Sequence, residues 1–275
     1  MGKKQKNKQA SNQEMQRCDV AIGEAIHNHT VVLVAEQHGK PYVGTGTLIT
    51  LSDRLFILTC KHVVKKGKLL FSTRAGANLK LVEREEIKKK PVPLLIKNVD
   101  KATLTEPPIV NKYLSKDDED DIALLELDIS KRPIKDHYFF GLSRQNVKAE
   151  ERERTLYVLG YAAELARQVD SQTIGYFSSY FSSVVSNKKG SYQNYNQKKH
   201  FLIEYPLVKE PMRLHGISGA GIWMRHAYND GCPIWTANPR LVGLQTSVYP
   251  DSRVIKAIKI EVLFSFLDSL GIKYS

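Results

Sequence analysis

Short apolar runs separated by turn residues dominate this chain. "TVVLVAEQ", "PYVGTGTLIT" and "RLFILTC" follow one another, broken by "HGKP" and "LSDR", and β-rich runs bounded by such breaks read as strands. The pattern returns at "KLLFST", "PVPLLIKN", "DIALLELD", "TLYVLGY", "QTIGYFSSY", "HFLIEYPLV", "AGIWM", "PRLVGLQTS" and "RVIKAIKI". Many short strands with few helical periods predict an all-β sandwich or barrel. Two helices are expected. A short one runs from about Asn12 to His27. A terminal one covers "EVLFSFLDSLG", where Val262, Leu263, Phe266, Leu267 and Leu270 recur at helical spacing and Gly271 offers a stop.

Residues 1–14, rich in Lys, Gln, Asn and Ser, cannot offset their ordering entropy by burial and read as a disordered basic tail. "KRPIKDHYFFG", residues 131–141, lacks a period and lies between two strand-rich halves, which makes it the candidate linker. The halves are 15–135 and 136–275. The long, polar segment 178–199, "SSYFSSVVSNKKGSYQNYNQKK", reads either as an active-site loop or lid or as a disordered insertion.

With 275 residues and 42% apolar content, the chain can bury a substantial core. A formal charge of +12 invites a nucleic-acid reading, since lysine and arginine bind phosphates by releasing counterions. The lysines are scattered in short runs without a helix-turn-helix, RNP or zinc-finger pattern, so a solvated surface is the plainer reading. Weak, non-specific nucleic-acid binding through the basic tail stays open. The start lacks the apolar core of a signal peptide, and no stretch approaches about 18 apolar residues. A soluble, unexported chain without a membrane partner is expected. The three cysteines, Cys18, Cys60 and Cys232, cannot all pair, which favours a reducing, cytoplasmic compartment. Cys60 and His62 form a C-x-H pair with no second pair at ligand spacing, so no metal is expected, and there is no obvious cofactor loop.

"HGISGAGIW", residues 215–223, places Ser218 among glycines, as a nucleophile or as a small residue in a tight turn. A nucleophilic serine needs a general base, a group that orients the base, and backbone donors for the oxyanion. His62 follows an apolar strand in a chain with eight histidines; alone, it would read as a strand-end cap. The acidic run in "DDEDDIALLELD" would alone read as a solvated loop, but Asp121 abuts the apolar strand and can be carried into a partly buried site. Gly216, Gly219 and Gly221 let backbone N–H groups turn toward one point.

Together, "GTGTLIT", "LTCKHVV", "DIALLEL" and "GISGAG" resemble the trypsin-like, chymotrypsin-fold serine peptidases, especially the bacterial stand-alone and HtrA-like members. The likeness extends over roughly residues 28–270. It implies two six-stranded antiparallel β-barrels with a C-terminal helix, no cofactor, a polypeptide substrate and no room for a further regulatory domain, so regulation would come from loops or a separate protein partner. By resemblance, Ser218 attacks the scissile carbonyl, His62 is general base and then acid, and Asp121 orients His62. The N–H groups of Gly216 and Ser218 form the oxyanion hole. An inactive binding module on the same fold, or a basic nucleic-acid-associated protein, are the alternatives.

Chain order is an independent check, because unrelated serine hydrolases place these roles differently. The order His62, Asp121, Ser218 matches the resemblance. An α/β-hydrolase would need an acid between Ser218 and a later histidine, and none stands before His226. Subtilisin order would need an acid ahead of His62, and Asp53 sits in the polar turn "LSDR". There are departures from the family pattern. Ile217 stands where secreted members carry the aspartate that pairs with a new N-terminus, so activation by that route is not expected, and the mature chain is expected to keep its tail. Cys60 replaces the usual alanine, and Gly221 the common proline. Met212, at the expected base of the S1 pocket, predicts an uncharged P1 residue. Thr246 either supports the triad and substrate backbone or simply fills its strand.

Overall fold

The computed structural model describes residues 19–37, 40–65, 67–72, 80–81, 96–97, 105–128, 130, 138–143, 155–163, 167–168, 174–175, 178–188, 190–205, 214–225 and 239–274. Met212, residues 1–18 and the stretch 131–137 lie outside them.

The described residues begin with helix α1 (19–28) and lead into a seven-stranded sheet. Its strands are β1 (Thr30–Gln37), β2 (Lys40–Leu51), β3 (Arg54–Cys60), β4 (Lys68–Ser72), β7 (Ile109–Leu114), β8 (Ile122–Leu127) and β9 (Phe140–Gly141). The order is β4-β1-β2-β3-β8-β7, antiparallel throughout, with the two-residue β9 added parallel to β2. A β-bridge between Phe71 and Thr105 brings the two ends together. The second sheet has six antiparallel strands, β10 (Leu156–Tyr161), β13 (Ser178–Ser183), β14 (His200–Glu204), β15 (Gly221–Arg225), β16 (Pro239–Tyr249) and β17 (Val254–Lys259). Its order is β13-β10-β15-β16-β17-β14, and a bridge between Val185 and Ile203 closes it in the same way. Closure removes sheet edges that would otherwise present unpaired backbone groups. Two small hairpins, β5 (Lys80–Leu81) with β6 (Ile96–Lys97) and β11 (Arg167–Gln168) with β12 (Ile174–Gly175), complete the strands.

The expected pair of barrels is therefore present, with a seventh, parallel strand in the first. β3, β8 and β10 are buried on both faces, which is why they read as continuous apolar runs. β7, "IVNKYL", was not legible as a strand because it lies on the surface, and Val110 is 55% exposed.

One apolar cluster runs from the first barrel across the interface into the second, joining Leu33, Phe56 and Leu124 to Tyr157, Trp223 and Leu244. Trp223 stacks on His29 and meets Phe140 edge-on at 5.0 Å, so β9 is pinned at this seam. Helix α1 adds Ile22 and Ile26 to the cluster, and its Asp19 accepts hydrogen bonds from Tyr157 and Tyr180 of the second barrel. The terminal helix α3 (Ile260–Ser269) buries Ile260, Leu263, Phe264, Phe266 and Leu267 against the same cluster, each worth about 1.5–3 kcal/mol. No described helix is long and apolar enough to cross a membrane.

Candidate active site

His62 sits in the one-turn helix α2 (Lys61–Val64), directly after β3. Asp121 sits directly before β8, the neighbour of β3 in the sheet. Pairing of Cys60 with Ile122 therefore places the two side by side. His62 Nδ1 lies 2.7 Å from Asp121 Oδ2, and the His62 backbone N–H donates to Oδ1 at 3.0 Å. The Lys61 N–H donates to the Asp121 carbonyl at 3.1 Å. Both carboxylate oxygens are thus committed to His62, which fixes the ring's orientation and puts the Nδ1 proton between ring and carboxylate. Asp121 holds a left-handed backbone, φ 41°, a conformation that aspartate tolerates better than most non-glycine residues.

Ser218 lies in a turn ahead of β15, tied to the first barrel by one residue. The Thr45 N–H donates to the Ser218 carbonyl at 2.9 Å, and Thr45 Oγ1 donates to the Gly216 carbonyl at 2.9 Å. Thr45 Oγ1 also accepts from the Tyr161 N–H, while the Thr45 carbonyl accepts from Thr59 Oγ1. Gly216 and Gly219 have φ of +96° and +92°; a Cβ on Gly219 would stand 2.1 Å from the Thr45 carbonyl. Within the turn, the N–H groups of Ile217, Gly219 and Ala220 are bonded to the carbonyls of Leu214, Gln245 and Ile217. Those of Gly216 and Ser218 have no acceptor among the described residues. Two unfilled donors beside a hydroxyl can receive a developing oxyanion.

Thr246 is buried, and β16 carries a bulge at this point: Gln245 pairs with Ala257 and Ser247 with Lys256. The extra residue turns the Thr246 carbonyl toward Ser218, whose Oγ donates to it at 3.3 Å, while Thr246 Oγ1 reaches the Lys256 carbonyl at 3.5 Å. Among the described residues, Ser218 Oγ makes no hydrogen bond to His62. The two face cavities that share Val248 as a wall. One, about 490 Å³, is bordered by His62, Asp121, Asn194, Tyr249 and Lys256. The other, about 230 Å³, is bordered by Tyr42, Leu214, Gly216, Ser218 and Pro250.

The surroundings are strongly charged. Lys256 Nζ donates to the Asn194 carbonyl at 3.0 Å; burial pulls its pKa down, against the pull of the nearby Asp121 carboxylate. Cys60 is fully buried and donates to the Gln245 carbonyl at 3.2 Å; burial and then the charge of Asp121 push its pKa well up, so it stays a neutral thiol. Tyr42 meets the His62 ring edge-on at 6.4 Å, and its hydroxyl pKa is raised, chiefly by burial. Cys60, His62 and Asp121 offer ligand atoms within 4.8 Å of one another. The 2.7 Å contact of Nδ1 with Oδ2 is that of a hydrogen bond, shorter than the roughly 3.3–3.7 Å between two ligands on one tetrahedral zinc.

The acidic run 117–120 is a largely exposed loop that also carries ion pairs: Lys61 Nζ meets Asp118 at 2.7 Å, and Lys199 Nζ meets Asp117, Asp120 and Glu119. Of the segment 178–199, the part 178–183 is β13, and Gln193 and Asn194 border the larger cavity beside His62. Lys199 carried no sequence signal, and Thr45 only its place in the "GTGTLIT" motif.

No family model and no curated protein matches the sequence itself. Solved structures match the fold. A serine endoprotease from Yersinia pestis is similar over 91% of this chain and 65% of its own, with 13% identity and a TM-score of 0.53. An inactivated protease paralogue from the scabies mite is similar over 88% of this chain and 93% of its own, with 16% identity and a TM-score of 0.54. The HtrA-type protease AlgW, solved with a tripeptide, is similar over 91% of this chain and 62% of its own, with 14% identity and a TM-score of 0.52. The chain thus spans less than two thirds of the Yersinia and AlgW chains. With two closed antiparallel barrels, a terminal helix and these neighbours, the chain has the chymotrypsin-type fold of the trypsin-like and HtrA serine proteases.

Proposed function

We propose that the protein is a serine endopeptidase working through Ser218, His62 and Asp121. The observation that carries this reading is the double grip of Asp121 on His62 beside a serine turn whose Gly216 and Ser218 N–H groups are unfilled. In the reaction, the Ser218 hydroxyl leaves Thr246 and passes its proton to His62 Nε2 while Oγ bonds to the scissile carbonyl carbon. Asp121 stabilises the imidazolium, and the two N–H groups receive the oxyanion. Collapse breaks the C–N bond, His62 protonates the leaving amine, and water activated by His62 hydrolyses the acyl-enzyme. A tautomer with the proton on Nδ1 leaves Nε2 free for this work.

The apolar wall that Leu214, Val248 and Pro250 give the smaller cavity supports an uncharged P1 residue. Ile217 is fully buried, which supports activation without an N-terminal ion pair; a requirement for a trimmed N-terminus would refute this. Weak nucleic-acid binding through the tail is a separate proposal, tested by salt-dependent binding before and after removal of residues 1–14.

The hydrogen bond of Ser218 Oγ to Thr246, instead of His62, favours a second reading, a binding module that has lost activity; the scabies mite neighbour is itself an inactivated protease paralogue. A fluorophosphonate probe separates the two. Labelling of the wild type that is lost in Ser218→Ala and His62→Ala is expected of a peptidase; labelling that survives Ser218→Ala overturns the assignment, and an unlabelled wild type points to the binding module or to a latent site needing a partner.

A further inference from the structure

Asp121 ends a run of five consecutive acidic residues, Asp117 to Asp121. Packed into one loop, such a run would spread by mutual repulsion unless cations hold it. Lys61, beside His62, takes Asp118 at 2.7 Å and the Ser115 carbonyl at 2.8 Å. The rest of the run is held from the other barrel. Lys199 Nζ lies 2.5 Å from Asp117 Oδ2, 2.8 Å from Asp120 Oδ1 and 3.7 Å from Glu119 Oε2. Its own backbone is anchored on both sides, its N–H on the Asn196 carbonyl and its carbonyl on the Lys259 N–H. The next residue, His200, brings Nε2 to 3.1 Å from the Glu119 carbonyl. Three carboxylates of the first barrel thus converge on one ammonium of the second, immediately ahead of Asp121 in its left-handed backbone.

We infer that Lys199 is a positioning residue: by gathering Asp117, Glu119 and Asp120, it holds the loop that presents Asp121 to His62. It also fixes the first barrel's pair, His62 and Asp121, against the barrel that carries Ser218. Three carboxylates on one cation form a network, and a network resists exchange with solvent better than an isolated exposed pair. The partial exposure of the group, 30% for Lys199 and 46% for Asp117, makes it accessible to salt screening. The inference rests on the triad reading above.

The test compares Lys199→Met and Lys199→Arg in the full chain by peptide hydrolysis and by the downfield proton resonance of His62 Nδ1–H, assigned by its loss in His62→Ala. Lys199→Met is expected to lower kcat about tenfold with KM within about twofold, and to broaden or shift the Nδ1 proton. Lys199→Arg, which keeps the charge, is expected to retain both. Raising NaCl from about 0.05 M to about 1 M lowers kcat in the wild type and leaves Lys199→Met unchanged. An unchanged kcat and Nδ1 proton in Lys199→Met overturns the inference, as does a loss of thermal stability equal in both variants with the resonance intact. If the wild type cleaves no peptide, the peptidase reading fails while the resonance still decides the role of Lys199.

Discussion

Thr45 of the first barrel and Gly216 of the second are joined by a buried hydrogen bond of 2.9 Å, Thr45 Oγ1 to the Gly216 carbonyl, across 171 residues of sequence. The same hydroxyl accepts the Tyr161 N–H, and the Thr45 N–H holds the Ser218 carbonyl. Through its hydroxyl and its backbone N–H, this one residue of the first barrel ties the serine turn to the strand next to β3, which His62 follows. Thr45→Val keeps the shape and removes the hydroxyl, leaving the buried Gly216 carbonyl without its donor, at about 1–3 kcal/mol. The expected result is a lower denaturant midpoint with an unchanged m-value, together with slower fluorophosphonate labelling of Ser218.

Gly219 is fixed by space as well as by backbone angle. Any Cβ there meets the Thr45 carbonyl and Thr59 Oγ1, at 2.1 and 2.3 Å, and φ is +92°. Gly219→Ala is expected to abolish labelling of Ser218 and to destabilise the fold well beyond the few tenths of a kcal/mol of an ordinary surface change, read as a lowered Tm. Gly271→Ala is the control: its φ is also positive, but no atom lies within 4 Å of the added carbon, so labelling should persist there.

Asp121 accepts from both the ring and the backbone of His62, so Asp121→Asn alters the proton inventory with little change of shape. The amide can present N–H to Nδ1 and so favour the tautomer with the proton on Nε2, the wrong one for a general base. A fall in kcat on the order of 10³–10⁴-fold is expected, with KM nearly constant, in steady-state hydrolysis of a peptide cleaved by the wild type.

On the far side of the first barrel, Arg54 donates from Nε and Nη2 to the two oxygens of Glu126, both at 2.7 Å. These bonds, assisted by Asn111 and Tyr113, lower the Glu126 pKa to about 2. A depressed folded-state value stabilises the fold above the unfolded value near 4.5, and that stabilisation is lost as pH falls toward about 2. Glu126→Gln is expected to lower Tm near neutral pH, with the difference from wild type closing between about pH 5 and pH 2 when melting is followed across that range.

The chain's local patterns determined the strand-rich class, the terminal helix, and the placement of His62, Asp121 and Ser218 in three separate contexts. Those features are written in nearest neighbours: an apolar run buried on both faces, a helical period, glycines around a serine. β7 escaped because an exposed strand carries little apolar signal, and the bulge at Thr246 escaped because one extra residue in a ladder leaves no mark on the sequence of that strand alone. Only the tertiary structure decided how the two barrels meet. Thr45 on the serine turn, Lys199 on the acidic run and the Thr246 carbonyl on Ser218 are contacts between residues far apart in sequence, or products of register. Their physical basis is the need of each buried or crowded polar group for a partner, and which partner it finds depends on strands brought together by closure of the sheets.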